Sequence, residues 1–277
     1  MPFLPVIAFP MIDPVALQLG PLAIRWYALA YIAGLLIGWW VTRREVSRPA
    51  LWGRQPPIEP AAIDDLLVWM ALGVVLGGRI GYVLFYNLPF YAGHPLKALE
   101  IWQGGMSFHG GLLGSVVAMA LFARSRRAPL LPIFDLVATV VPIGLFFGRI
   151  ANFINGELWG RVTDVPWAMV FPHAGPLPRH PSELYEAGME GLILFAILMA
   201  LVRFGGLRRP GLVAGTFLAG YGIFRIVGET FREPDVQIGF LWQGVTMGMV
   251  LSAPMVLVGL GVVAWSLRRT AAAKPAE

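Results

Sequence analysis

Residues 133–153 read IFDLVATVVPIGLFFGRIANF, and this stretch decides what kind of protein the chain is. At about 1.5 Å of rise per residue a helix of this length covers roughly 30 Å, the thickness of a bilayer's hydrocarbon core. Its only charged groups are Asp135 and Arg149. Arg149 and Asn152, three apart, share a helix face near one end, and the Asn155-Gly156 pair just beyond is a strong turn signal.

Working outward, runs of comparable length and apolarity recur at about 22–41, 63–86, 108–122, 184–202, 212–228 and 240–267. With 133–153 they make seven, of which the third and sixth are short and glycine-rich. The expectation is an all-α polytopic integral membrane protein: one transmembrane domain over residues 1–277, with a small periplasmic head at residues 155–182 between spans 4 and 5. Composition agrees. Of 277 residues 57% are hydrophobic and 13% charged, and mean hydropathy is +0.69, far from the roughly 25% charge of soluble domains. The first residues, MPFLPVIAFPMIDP, lack a basic segment and are interrupted by Pro2, Pro5, Pro10 and Pro14, so they do not read as a cleavable signal peptide. With no cysteine there is no disulfide, thiolate metal site or thiol nucleophile.

A net charge of +5 and a pI near 9.9 suggest nucleic acid only until the charges are sorted. Arg43, Arg44, Arg48, Arg54, Arg124, Arg126, Arg127, Arg203, Arg208, Arg209, Arg268, Arg269 and Lys274 fall at one set of span ends. Only Arg25, Lys97, Arg161, Arg179 and Arg232 fall at the other. The positive-inside rule then puts the C-terminus in the cytoplasm and the N-terminus outside, and no nucleic-acid partner is expected.

Arg79, Arg149 and Arg225 remain, inside spans. An ionisable group at a helix centre costs at least about 2.5–3.5 kcal/mol on insertion scales and so faces a cavity or a partner. Helix rise places all three roughly 20–25 Å from the cytoplasmic side of their spans, in the outer half of the membrane. Snorkelling, pairing with Glu183, Glu186 or Glu229, and a shared cationic pocket for an anion are all open readings.

Polar groups gather around two of these arginines. Gly148 to Gly160 carries Arg149, Asn152, Asn155 and Glu157, whose guanidinium and amide donors suit phosphate or glycerol oxygens as well as they suit a helix end meeting water. Tyr221, Arg225 and Glu229 form an i, i+4, i+8 stripe that either buffers a buried arginine or poises it for a ligand. Around Arg79, by contrast, Gly77, Gly78 and Gly81 favour close helix packing with a satisfied arginine. His109, in His109-Gly110-Gly111, is a candidate general base. Ser107 beside it makes a poor dyad, because side chains two apart do not face each other on a helix. The histidines at 94, 109, 173 and 180 lack metal-ligand spacing, so no metal and no cofactor are expected. The proline-rich loop 155–182 is long enough for a lid or binding head and ends in His180-Pro181-Ser182-Glu183-Leu184-Tyr185-Glu186.

With these residues in view the chain resembles the bacterial prolipoprotein diacylglyceryl transferases over essentially its whole length. Gly148–Gly160 looks like that family's signature; His109-Gly110-Gly111, His180-Pro181-Ser182 with Tyr185-Glu186, Tyr221 with Arg225 and Glu229, and Tyr27 match further motifs in order. The resemblance implies transfer of the diacylglyceryl group from phosphatidylglycerol to the thiol of the lipobox cysteine in a preprolipoprotein signal peptide, releasing glycerol 1-phosphate. It implies a bacterial inner-membrane enzyme with its active site towards the periplasmic half. By its motifs, His109, Arg149, Arg225 and Glu229 are the catalytic candidates. The phosphatidylglycerol-binding candidates are Arg149, Arg225, Tyr27, Asn152, Glu157, Gly160, Tyr221, His180 and Arg79. One departure stands out: Met249 follows Gly248 where the family usually has Gln. The rivals, a secondary transporter or channel for an anionic solute or lipid and an intramembrane protease, fare worse: a transporter would show internal repeats, and none are visible; a protease would need a nucleophile pair or carboxylate dyad, and none stands out.

Overall fold

A computed structural model describes residues 7–234 and 238–272; Pro2, Pro5 and Lys274, invoked above, lie outside them. The described chain is mostly helical and forms two compact units, residues 42–134 and the described residues of 7–41 with 135–272.

In chain order the elements are β1 (Ile7–Ala8), β2 (Val15–Leu19), β3 (Leu22–Arg25), α1 (Trp26–Val46), α2 (Pro49–Trp52), α3 (Ala62–Phe85), α4 (Leu88–Gly93), α5 (Phe108–Ser125), α6 (Leu130–Ala138), α7 (Val141–Asn155), β4 (Met169–Val170), α8 (Ser182–Glu186), a π-helical stretch (Ala187–Ile193), α9 (Leu194–Arg203), α10 (Leu212–Glu229) and α11 (Met247–Ala272). Six helical segments are long and apolar enough to cross a membrane: Ala62–Phe85, Phe108–Ser125, Leu130–Asn155, Ser182–Arg203, Leu212–Glu229 and Met247–Arg269. Large apolar side chains such as Phe85, Phe204 and Leu257 stand exposed on these helices and the ends they reach, as a bilayer solvent allows. The chain is a multi-pass membrane protein. α1 is 21 residues long, but its Trp and Tyr residues and the polar turn Thr42-Arg43-Arg44-Glu45 lower its hydropathy, so it does not reach the same standard.

In the unit of residues 42–134, α3 and α5 meet along a seam of small residues. A Cβ on Gly77 would lie 2.4 Å from the Gly110 carbonyl oxygen, and one on Gly114 would lie 2.0 Å from that of Gly73. Glycine at four-residue spacing on both helices is what brings the backbones this close. At one end of the seam Arg126 pairs with Asp65.

In the other unit, β2 and β3 form a hairpin that turns at Gly20, and β1 lies parallel to β4. The stretch 133–153, continuous in the sequence reading, is broken after Ala138: Pro142 has no N–H to give the preceding turn. α7 then ends where expected, at Gly156, with φ +64°. Asp135 is fully buried and reaches the start of α10, accepting from Gly211 N at 2.6 Å and Ala214 N at 2.8 Å, the donors that a helix start leaves unpaired. α10 packs on α11 closely enough that a Cβ on Gly259 would lie 2.4 Å from Ala219 N. Residues 156–181 fold over a small aromatic core of Phe9, Phe153 and Phe171, joined by Trp159 and Leu184.

Candidate functional site

α7, α8 with its π-helical continuation, and α10 bring two of the three in-span arginines into one buried cluster. Arg149 Nη1 is 3.0 Å from Glu186 Oε2, and its Nη2 is 3.0 Å from Glu190 Oε2. Arg225 Nη1 is 2.7 Å from Glu186 Oε1 and 3.8 Å from Glu190 Oε1, while its Nη2 pairs with Glu229. Arg232 Nη1 stands 3.8 Å from Glu186 Oε1. Glu186 thus bridges the two in-span arginines. Glu186 and Glu190 are completely buried, whereas Arg149 and Arg225 keep 14% and 15% of their side chains exposed.

Local structure explains the placement. Glu186 and Glu190 are four apart on a helix that widens into a π turn over Ala187–Ile193, a feature often found at functional sites. Tyr221 lies within electrostatic range of Arg225, Arg149 and Glu190 on the stripe read from the sequence. Glu229 closes the cluster: Thr246 Oγ1 donates to its Oε2 at 2.5 Å, and Gly248 leaves it room, since a Cβ there would lie 2.6 Å from Glu229 Cδ. Thr246, just before α11, and Gly248, in its first turn, supply this; Met249 gives a backbone N–H to Thr246 Oγ1 at 3.3 Å. Glu183 is also completely buried, and neither of its carboxyl oxygens has a hydrogen-bond partner.

Beside this cluster Asn152 and Asn155 donate to Glu157 Oε1 at 2.8 and 3.3 Å. Tyr27 lies within electrostatic range of Glu157, and its hydroxyl is 3.5 Å from that of Tyr31. Gly160 is wedged where a Cβ would lie 2.5 Å from the His180 carbonyl oxygen and 2.7 Å from that of Phe231. At His180 the donors can be assigned. Trp167 Nε1 donates to Tyr185 Oη at 2.6 Å, so the tyrosine's own proton is free for His180 Nδ1 at 3.1 Å. Burial pushes the His180 imidazole below its ordinary value, consistent with a neutral ring.

Two candidates lie in the other unit. Arg79 gives its donors to backbone carbonyls: Nε to Ala98 at 2.7 Å, Nη1 to Gly104 and Gly105 at 2.6 and 3.2 Å, Nη2 to Lys97 and Glu100 at 2.7 and 3.3 Å. His109 is exposed in the first turn of α5, its ring 5.7 Å from that of Phe108. Ser107 caps α5 by accepting from Gly110 N at 3.2 Å, a structural use of its hydroxyl. Among the described residues no group of three or more His, Cys, Asp or Glu could hold a metal ion.

Sequence reasoning missed Glu190 and the place of Arg232. Glu190 sits in an apolar run, where its spacing from Glu186 was the available signal; Arg232 lies beyond α10 and reads there as an ordinary loop charge. Burying so many charges is a poor way to stabilise a fold, because desolvation can exceed the Coulombic gain. Stability alone therefore does not account for the cluster.

Fold and site together define a polytopic membrane protein with apolar exposed helix faces and a buried arginine–glutamate cluster. A family model described as prolipoprotein diacylglyceryl transferase matches residues 14–265, and the chain belongs to that family of transferases. A protein of Methylocella silvestris named phosphatidylglycerol–prolipoprotein diacylglyceryl transferase is 61% identical over 271 residues, covering 98% of this chain and 99% of its own. One of the same name from Rhodopseudomonas palustris is 60% identical over 271 residues, covering 97% and 94%.

Proposed function

We propose that this chain transfers the diacylglyceryl group of phosphatidylglycerol to the thiol of the lipobox cysteine of a preprolipoprotein, releasing glycerol 1-phosphate. The observation that carries this reading is the pair Arg149 and Arg225, joined through Glu186 at 3.0 and 2.7 Å, with part of each guanidinium still exposed. Phosphatidylglycerol has one phosphate anion and two acyl chains, so it needs a cationic site within reach of lipid. The thiolate sulfur attacks the glycerol carbon that carries the phosphate ester. The C–O bond breaks and its electron pair leaves on the phosphate oxygen, where the two arginines stabilise it. The thiol's proton passes to a base and ends on the released phosphate; His109 is our candidate for that base. Tyr27, Asn152, Glu157, Gly160, Tyr221 and His180 shape the headgroup site, and Glu229 holds Arg225 in place. The carbonyl cage around Arg79 supports a structural role for that residue rather than a hold on lipid.

The reading also includes seven spans, with α1 as the first, the N-terminus and loop 155–182 periplasmic, and the C-terminus in the cytoplasm of a bacterial inner-membrane protein. The sorting of basic residues supports it.

The test is to incubate purified protein with phosphatidylglycerol and a lipobox peptide and weigh the product. A diacylglyceryl thioether on the peptide is expected with Cys and none with the Cys→Ser control. No product from folded protein and authentic substrates would overturn the assignment. Near-normal transfer by His109→Gln would reduce that histidine to positioning.

A further inference from the structure

Arg161, next to Gly160, has no role in the chemistry above, yet the segment Trp159-Gly160-Arg161 is tied to the end of the helix that carries half of it. It runs antiparallel to the chain leaving α10, with Gly160 opposite Arg232. Arg161 N donates to Phe231 O at 2.8 Å and Glu233 N to Trp159 O at 3.2 Å. On its other edge Gly160 N donates to His180 O, and His180 N to Arg161 O, both at 3.0 Å. The segment is held from two sides, and the absence of a side chain at Gly160 is what lets it fit between them.

From this fixed base the Arg161 guanidinium reaches the last turn of α10. Its Nη2 donates to Glu229 O at 2.8 Å and its Nε to Arg232 O at 2.9 Å, and its Cζ lies 4.9 Å from the centre of the Phe240 ring. The last carbonyls of a helix have no partner within it, and a cation there also meets the negative end of the helix dipole. Glu229 is the final residue of α10, and its carboxylate holds Arg225 on one side and accepts from Thr246 on the other. A small pivot of that last turn would carry the carboxylate away from both.

We propose that Arg161 is a positioning residue for the transfer reaction: its two-pronged grip fixes the last turn of α10 and so sets the pose of Glu229 between Arg225 and Thr246. The inference rests on the function proposed above and adds a residue from the loop to it. A lysine supplies the charge but not the planar fork that reaches two carbonyls at once.

The experiment compares wild type, Arg161→Ala, Arg161→Lys, Glu229→Gln and the Arg161→Ala/Glu229→Gln double variant, in vesicles of phosphatidylglycerol with a lipobox peptide. For Arg161→Ala we expect kcat to fall about tenfold with KM for phosphatidylglycerol changed less than about threefold, and Arg161→Lys to recover only a minor part. In the Glu229→Gln background, read by product mass after long incubation, Arg161→Ala should cost nothing further, because residues acting through one another are not additive. Additive losses, or full recovery by lysine, overturn the proposal. A second measurement covers poor folding of the alanine variant. In Arg161→Lys the backbone amides of Thr230 to Arg232 should exchange hydrogen faster while the helix cores stay protected; unchanged exchange overturns the proposal. If the wild type itself transfers nothing, the proposed function fails, and the exchange measurement still decides whether Arg161 holds the end of α10.

Discussion

Arg79 and Arg225 face the same difficulty and meet it in opposite ways. Both sit in apolar helices and are largely buried. Arg79 spends its donors on five backbone carbonyls of residues 97–105, which are neutral and fixed in place. Arg225 spends its donors on Glu186 and Glu229, which are charged and carried on side chains. A carbonyl cage leaves the positive charge uncompensated but organises the segment that forms it. A carboxylate cage compensates the charge and is carried on side chains from other turns of the helices. The difference teaches that a buried arginine is informative through its partners more than through its depth.

Substitutions can break this comparison. The largest effect is expected for Arg225→Ala or Arg149→Ala, each lowering transfer at least about a hundredfold in folded protein, in line with losing a donor to a developing oxyanion. Transfer within about threefold of wild type would remove the distinction. Next comes Arg79→Ala, which orphans several carbonyls and should cost about 2–3 kcal/mol of stability. Thermal unfolding in detergent would show it, and the activity of the folded fraction should change little. Lost activity at unchanged stability would move Arg79 to the side of Arg225. Gly248→Ala should lower transfer about tenfold with a smaller loss of stability, because the added Cβ meets the Glu229 carboxyl group. Retained activity would mean Glu229 can give way.

The smallest effect concerns pH. The folded state holds His180 below its ordinary value, so the neutral ring favours folding. That contribution is present above about pH 6.5 and is lost as pH falls from there through the folded-state value. Because the ring is only part-buried, the sign is the content of the prediction. Nitrogen chemical shifts of His180 should report a midpoint below 6.5.

Much of this was legible in the sequence. Apolar length made the helices readable, and the rarity of charge within them singled out Arg149 and Arg225 together with Arg79, with Glu183, Glu186 and Glu229 as candidate partners. Glu229 and Tyr221 followed from i, i+4 spacing. Two features were harder to read. Depth alone grouped Arg79 with the other two, because helix rise gives height along an axis and says nothing of what loops fold back over it. The span count rested on α1, where Trp and Tyr leave the apolar signal weak. Glu190 was hidden because a single acid in a long apolar run looks like noise until the widened turn around it is seen.

That widened turn has a consequence of its own. A π turn is an α-helix that has accepted one extra residue, so the chain before it and the chain after it are out of phase by roughly 100°. Between Ser182 and Arg203, then, one segment keeps two registers: the first aims Glu183, Glu186 and Glu190 inward, the second turns the apolar face of Leu194–Arg203. Deleting one residue from Ala187–Ile193 would make the helix regular again and force those two demands to compete. The irregularity lets a sequence built for lipid carry acids in its interior without giving up the face that lipid requires.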